Sequence, residues 1–200
     1  MKFKKPDLKD FGPRELAEAG PHPSRIVGIV DLGIQENKQW NKLEPKALFI
    51  FSLTDDTLKE GEYSGKMKHV SKTFTQSTSE MSAFYKQMVV PLNLKLDEAG
   101  ELADGGLQAL LNMSVMVTII HKDVTQVNKQ SGKVEVVTYD NIAGLSLVHK
   151  SLIVPEADTE PYFYSLDAHD EEVFKKLPKW VQTKINFSGT NVPVKGGDFK

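Results

Sequence analysis

Lysines stand on one alternation of the segment Lys66–Phe74, where Lys66, Lys68 and Lys72 share a side with Val70 and Phe74. The opposite alternation carries Met67, His69, Ser71, Thr73 and Thr75. Neither side is the uninterrupted apolar stripe of a half-buried strand. A row of ammonium groups can neutralise phosphates and release their counterions, and a flat side chain can stack on an unpaired base. The same pairing of cation and ring recurs elsewhere. Lys38, Trp40 and Lys42 share one polar stretch, Lys46 opens an apolar run, and Lys122, Lys129, Lys133 and Tyr139 flank a turn signal. The plainer reading is that strand lysines solvate a surface or guard a sheet edge against aggregation.

Other chemistries are poorly served. The chain has no cysteine, which excludes disulfides, thiolate metal sites and cysteine nucleophiles. Its histidines, at 22, 69, 121, 149 and 169, lie far apart and show no paired metal-ligand spacing. There is no phosphate-binding Walker loop, no Gly-x-Ser-x-Gly and no His-x-Glu signature. Asp170, Glu171 and Glu172 are expected to start a helix, where acids favour the positive end of its dipole. The expectation is a protein with no catalytic residues, no metal and no cofactor. With 25 basic and 27 acidic residues the net charge is -2, so any polyanion must be held by local charge separation. Such separation is present: Lys66, Lys68, Lys72 and Lys86 face one acid, Glu80, whereas seven acids from Glu156 to Glu172 meet no Lys or Arg. No run reaches transmembrane length and the N-terminus is no signal peptide, so a soluble intracellular protein without a membrane partner is expected.

Residues 1–23 mix charges with Gly and Pro and read as a loosely ordered lead-in. Strand structure is expected from "SRIVGIVDLGIQ" at Ser24, with bulges or sharp coiling at Gly28 and Gly33. "ALFIFSL", Ala47 to Leu53, is a strand apolar on both sides, and the lysine segment is the third strand. Ser77 and Glu80 form a capping box before Met81, Phe84, Tyr85, Met88 and Val89, one helix face that Pro91 closes. "GLQALLN" is a second short helix ending at Asn112. "SVMVTIIHK" reads as a central buried strand and runs into a long hairpin turning at Ser131 and Gly132. Three strands, a helix and two strands make the order of a five-stranded OB-fold barrel over residues 24–154, so the expected class is mainly β. Residues 155–188 follow as an acidic linker and helical extension, in which Val173, Phe174, Leu177, Val181 and Ile185 can pack on the barrel; residues 189–200 read as a flexible tail.

In such a barrel the groove crosses strands two and three, walled by the loop after strand one and the hairpin between strands four and five. That geometry gathers Trp40, Lys42, Lys46, Lys66, Lys68, Lys72, Phe74, Lys122 and Tyr139 as nucleic-acid contacts, with the lysines of the third strand pointing outward. Replacing Lys68 and Lys72 with Ala should then weaken oligonucleotide binding and flatten its salt dependence. Phe74 stacks on a base, or a bulge near His69 turns it and Val70 into the core. Trp40 is a stacking platform or folds on the barrel rim, and Tyr139 is a platform or an ordinary strand aromatic.

The ordered set "SRIVGIVDLGIQ", "KHVSKTFTQSTSEMSAFYKQM", "LLNMSVMVTIIHK" and "VFKKLPKWVQTKI" resembles a family of phage-encoded single-stranded DNA-binding proteins. In that family an OB-fold core precedes an F-x-x-L-P-x-W-like pattern, here Phe174, Leu177, Pro178 and Trp180. The similarity runs over residues 24–187, with Asn112 where Gly would be expected. The resemblance implies a non-enzymatic protein that binds single-stranded DNA in replication, recombination or repair, in the cytoplasm of an infected host cell. Single strands of RNA, replication or recombination proteins, and further copies of the chain complete the partners expected. The ending "GGDFK" is a poor match to the acidic tail with a terminal aromatic that many single-strand binders use for recruitment. A second reading is a scaffold module on the same barrel, recruiting replication or virion partners through its acidic segment and tail.

Overall fold

Three β-rich runs pair as an antiparallel meander in the computed structural model, which describes residues 15–37, 41–103, 105–128 and 132–188. They are β1 (Gly20–Asn37), β2 (Lys42–Thr57) and β3 (Met67–Thr75). The other edge of β1 pairs antiparallel with β4 (Ser114–Val127), which forms a hairpin with β5 (Val134–Leu147). A short β6 (Tyr162–Tyr164) joins β1 in parallel at Gly28–Val30. The result is a mainly β, six-stranded sheet whose path reads β3-β2-β1-β4-β5, with β6 beside β1. Helical structure is sparse among the described residues and includes α1 (Glu171–Lys176) and α2 (Lys179–Asn186) near the C-terminus. The first strand opens at Gly20, ahead of the expected Ser24, because Gly20–Arg25 is the stretch that β4 pairs.

Both expected irregularities of β1 are present: the register against β2 shifts between Ile26 and Gly28 and again between Asp31 and Gly33. An extra residue at a bulge changes which side the following residues face. Ile26 and Ile29 therefore enter the inner core, while Val27, Val30 and Leu32 turn to the outer side. Gly33 takes a φ of 67°, and its amide donates to Asp31 Oδ1 at 2.8 Å, which fixes the second bend.

A sheet apolar on both sides needs two covers. The inner core joins Phe49, Phe51, Phe74, Phe84 and Met88 to Val115, Val117 and Ile119. The outer core sets Val27, Val30, Leu48 and Ile50 against Tyr164, Leu166, Phe174, Leu177, Val181 and Ile185. This is why "ALFIFSL" has no polar side: Phe49 and Phe51 point in, and Leu48 and Ile50 lie under the C-terminal extension. Asp170 starts α1 by accepting from the amides of Glu172 and Val173 at 2.9 and 3.1 Å. Gly28 is the tightest point of this contact, since a Cβ there would lie 2.8 Å from Tyr162 Cζ and 3.1 Å from Ile50 Cδ1. Gly28→Ala is expected to destabilise the chain by about 1–3 kcal/mol, the range for overpacking. Thermal unfolding of the variant checks this, and an unchanged midpoint would mean that Tyr162 yields without cost.

The segment between β3 and β4 departs from its expected form. Its helical part is a π-helical turn, Tyr85–Val89, followed by a 3₁₀ turn, Gly106–Leu110. The Ser77–Glu80 capping box is not made. Ser82 Oγ instead accepts from the Tyr85 amide at 3.0 Å and donates to the Ser77 carbonyl at 2.6 Å. The turn thus begins later than expected, and Met81 precedes it and is 81 % exposed, outside the stripe that buries Phe84, Met88 and Val89. Asn112 takes a φ of 61°, the left-handed conformation expected where the second turn ends.

Candidate nucleic-acid interface

The lysines of β3 point inward. β3 pairs with β2 without a bulge from Lys46↔Thr75 to Ser52↔His69, so its alternation is unbroken. Val70 and Phe74 belong to the inner core, and Lys68 and Lys72 lie on that same side; His69, Ser71 and Thr73 are the exposed row. The expectation of outward lysines is corrected for both. Phe74 is core as well, stacked edge-on against Phe49 and Phe84 with centroids 5.7 and 5.8 Å away, and offers no face to a base.

What lets cations sit on an apolar side is a set of partners distant in sequence. Lys68 is only 4 % exposed, and its Nζ meets Asp56 Oδ1 at 2.9 Å, Glu15 Oε1 at 3.2 Å and the Leu16 carbonyl at 2.9 Å. Burial disfavours the Lys68 charge, but Asp56 and Glu15 outweigh it and hold the ammonium above its ordinary range. Burial likewise opposes the Asp56 carboxylate, while Lys68 and the Glu18 amide carry it below its ordinary range. Lys72 donates to the Ile142 carbonyl at 2.6 Å and lies 5.8 Å from the Phe74 centroid. Its charge finds no carboxylate among the described residues, and burial lowers its pKa.

Residues Glu15 to Gly20 close this end of the sheet. Ala17 is buried, its amide donates to Asp140 Oδ1 at 3.2 Å, and its carbonyl lies 2.9 Å from His121 Nε2. The Glu15 carboxylate accepts from the Lys59 amide, at 2.9 Å from Oε2, and the Glu18 amide donates to Asp56 Oδ2 at 2.9 Å. His22 is buried with Nδ1 2.8 Å from Asp55 Oδ1 and Nε2 2.8 Å from the Glu18 carbonyl. Two acceptors, one at each ring nitrogen, are both satisfied only by the doubly protonated ring. Burial opposes that charge, yet the bonds to Asp55 and Glu18 raise the pKa above the ordinary histidine value.

The remaining expected contacts fall into two groups. Lys66 precedes β3 and is exposed, and Lys122 on β4 is exposed directly across from Tyr139 on β5. These share the end closed by Glu15–Gly20, which touches both the β2–β3 connection and the hairpin. Tyr139 is half-buried, with its hydroxyl 3.2 Å from Gln126 Oε1. Lys42 is exposed at the opposite end, beside the β1–β2 turn. Lys46 is there too, but its Nζ is engaged at 2.6 Å by both Glu44 Oε2 and Thr75 Oγ1. The bonds from Lys46 and then Asn37 draw the Glu44 carboxyl down to about 2. Lys38, Trp40 and Lys129 lie outside the described residues.

These residues are not joined across the outer side of β2 and β3. Leu48 and Ile50 there are covered by the extension, and the acidic linker is tied to the neighbouring strands. Asp158 accepts from the Met67 amide at 2.9 Å, and Glu156 pairs with Arg25 at 2.9 Å. The expected groove is therefore covered over β2 by the chain's own C-terminal part, while the outer row of β3, His69, Ser71 and Thr73, stays exposed. A cleft of about 430 Å³ does open beside Phe49, Phe74 and Phe84, but its rim is Thr75, Gln76, Ser77, Thr78 and Glu101, with no cation among the described residues to meet a phosphate.

No family model, curated protein or solved structure matches this chain. Among the described residues no group of three or more His, Asp or Glu is arranged to hold a metal ion, and no helix is long and apolar enough to cross a membrane. The Lys68 cluster escaped sequence reasoning, although Val70 and Phe74 on the lysine side against Ser71 and Thr73 on the other already favoured that side as the inner one. Trp180 entered only as one member of a pattern. Phe174 and Leu177 from that pattern are buried, whereas Trp180 is 47 % exposed.

Proposed function

We propose that this chain binds single-stranded DNA without strong sequence preference, coating or protecting it in phage DNA replication, recombination or repair, on an OB-fold barrel. The path β3-β2-β1-β4-β5, with β1 shared and bent by bulges, supports the barrel reading. So does the Lys72 bond to Ile142, which spans the two terminal strands of that path. The observation that carries the functional reading is the β4–β5 ribbon. β1 pairs β4 only as far as Ile119, and the hairpin runs on from there with Lys122 beside Tyr139 on one side. An ammonium next to a flat ring supplies one phosphate contact and one stacking surface, the two ingredients of sequence-tolerant single-strand binding.

The test is anisotropy of a labelled oligothymidylate titrated across ionic strengths, with double-stranded DNA and RNA oligomers alongside. Lys122→Ala is expected to lower the steepness of the log–log salt dependence by about 0.7, one phosphate contact on a single strand. Tyr139→Ala should cost about 1–3 kcal/mol of binding. A chain that retains no oligomer at modest salt sinks the reading. It would select the scaffold role instead, which Val127, Val134 and Val136 favour, since they stand 60 to 70 % exposed on the other side of the ribbon.

A further inference from the structure

We propose that the exposed side of α2 is a second single-strand contact, in which one base stacks on Trp180 and neighbouring phosphates meet Lys179 and Lys184. This rests on the single-strand reading above and assigns part of the path to the C-terminal extension, which otherwise serves only as a cover for the sheet.

The helix is two-sided. Val181 and Ile185 are buried in the outer core with Leu177 just before them, and this spacing fixes how α2 lies. Lys179, Trp180, Thr183 and Lys184 then face away from the sheet and are all exposed. The Trp180 indole on that side belongs to neither core. It is held instead by Lys184, whose Nζ sits 5.2 Å from the ring centroid, a cation–π contact that orients the ring and leaves 47 % of the residue open. α2 contains no acid. The acids of the preceding helix, Glu171 and Glu172, pair with Lys175 at 3.4 and 3.9 Å, and Glu171 also meets His169. Lys179 forms no ion pair with a described residue.

The neighbours of the indole in α2 are cations and a hydroxyl, and Phe187, 77 % exposed seven positions on, adds a second ring, the composition suited to a polyanion with flat faces. The position fits as well. Gln35 Nε2 donates to the Lys184 carbonyl at 2.9 Å, which ties the end of α2 to β1 shortly before the β1–β2 turn. Lys42 opens β2 on the far side of that turn. A strand running from Trp180 past Lys184 would reach Lys42 without crossing the covered side of β2.

The chain has two tryptophans, at 40 and 180, so Trp40→Phe leaves Trp180 as the sole indole emitter. Unlabelled oligothymidylate is titrated into the full-length Trp40→Phe chain while its emission is followed, and a labelled copy is followed by anisotropy in parallel. The expected result is quenching of Trp180 with the same midpoint as the anisotropy rise. Trp180→Ala should weaken binding by about 5- to 150-fold, the range for loss of one stacked base, and Trp180→Phe should recover most of it. An anisotropy rise with unchanged Trp180 emission overturns the inference and leaves the single-strand reading standing. Emission that moves with protein concentration alone, and not with oligomer, marks a contact between copies and overturns it too. No anisotropy rise with the unmodified chain, which keeps Trp40, removes the reading beneath it.

Discussion

Lys68→Met is expected to destabilise the protein by about 3–5 kcal/mol, read as a lower midpoint in urea unfolding. The loss comes from what the lysine leaves behind. Asp56 is 6 % exposed, and without Lys68 its carboxylate keeps, among the described residues, only the Glu18 amide and its interaction with His22 as compensation. The Leu16 carbonyl loses this donor in the same step, and Glu15 Oε1 is left with the Lys59 amide at 3.1 Å. Acid should reproduce part of this effect in the unmodified chain. Asp56 has a folded pKa below its ordinary 3.8, so its contribution is fully present above that value and disappears as the pH falls through the lowered one. Lys68→Met should lose this acid-sensitive portion. A variant with native stability and weakened oligomer binding would return Lys68 to the role of a phosphate contact.

Phe74→Ala is expected to cost about 3–5 kcal/mol, the range for deleting a buried aromatic ring. Phe74 meets Phe49 and Phe84 edge-on, and those rings lie 5.8 Å from each other, so one truncation opens a void against both. Thermal and urea unfolding give the size of the loss. A base-stacking Phe74 would behave in the opposite manner, with oligomer affinity falling while the unfolding midpoint held.

The order of the strands was legible because each is marked by a β-branched or aromatic run and a turn signal, and the two glycines of β1 announced its bulges. The faces were harder to read. Alternation along Lys66–Phe74 divides the residues into two sets but does not say which set points inward, and the deciding carboxylates, Glu15 and Asp56, sit in segments that look like surface. The cover of the outer side was visible as spacing in Val181 and Ile185, yet nothing local said which strands it would cover. The helix start was misplaced for a different reason. Ser77 and Glu80 satisfy the capping pattern, but Ser82 is closer to the turn that forms, and a π-helical turn follows no periodicity of an ordinary helix.

The way β1 divides its second edge has a kinetic consequence. β4 pairs one part of that edge, Gly20–Arg25, and β6 another, Gly28–Val30, and Arg25 bonds to Pro155 across 130 positions of chain. Contacts so remote in sequence must close large loops before they return any free energy, which places folding in the slow, millisecond-to-second regime of high contact order. During synthesis the apolar outer side of β1 and β2 must wait uncovered until the last quarter of the chain has emerged. The nascent protein is therefore most exposed to aggregation, and most dependent on chaperones, in that interval.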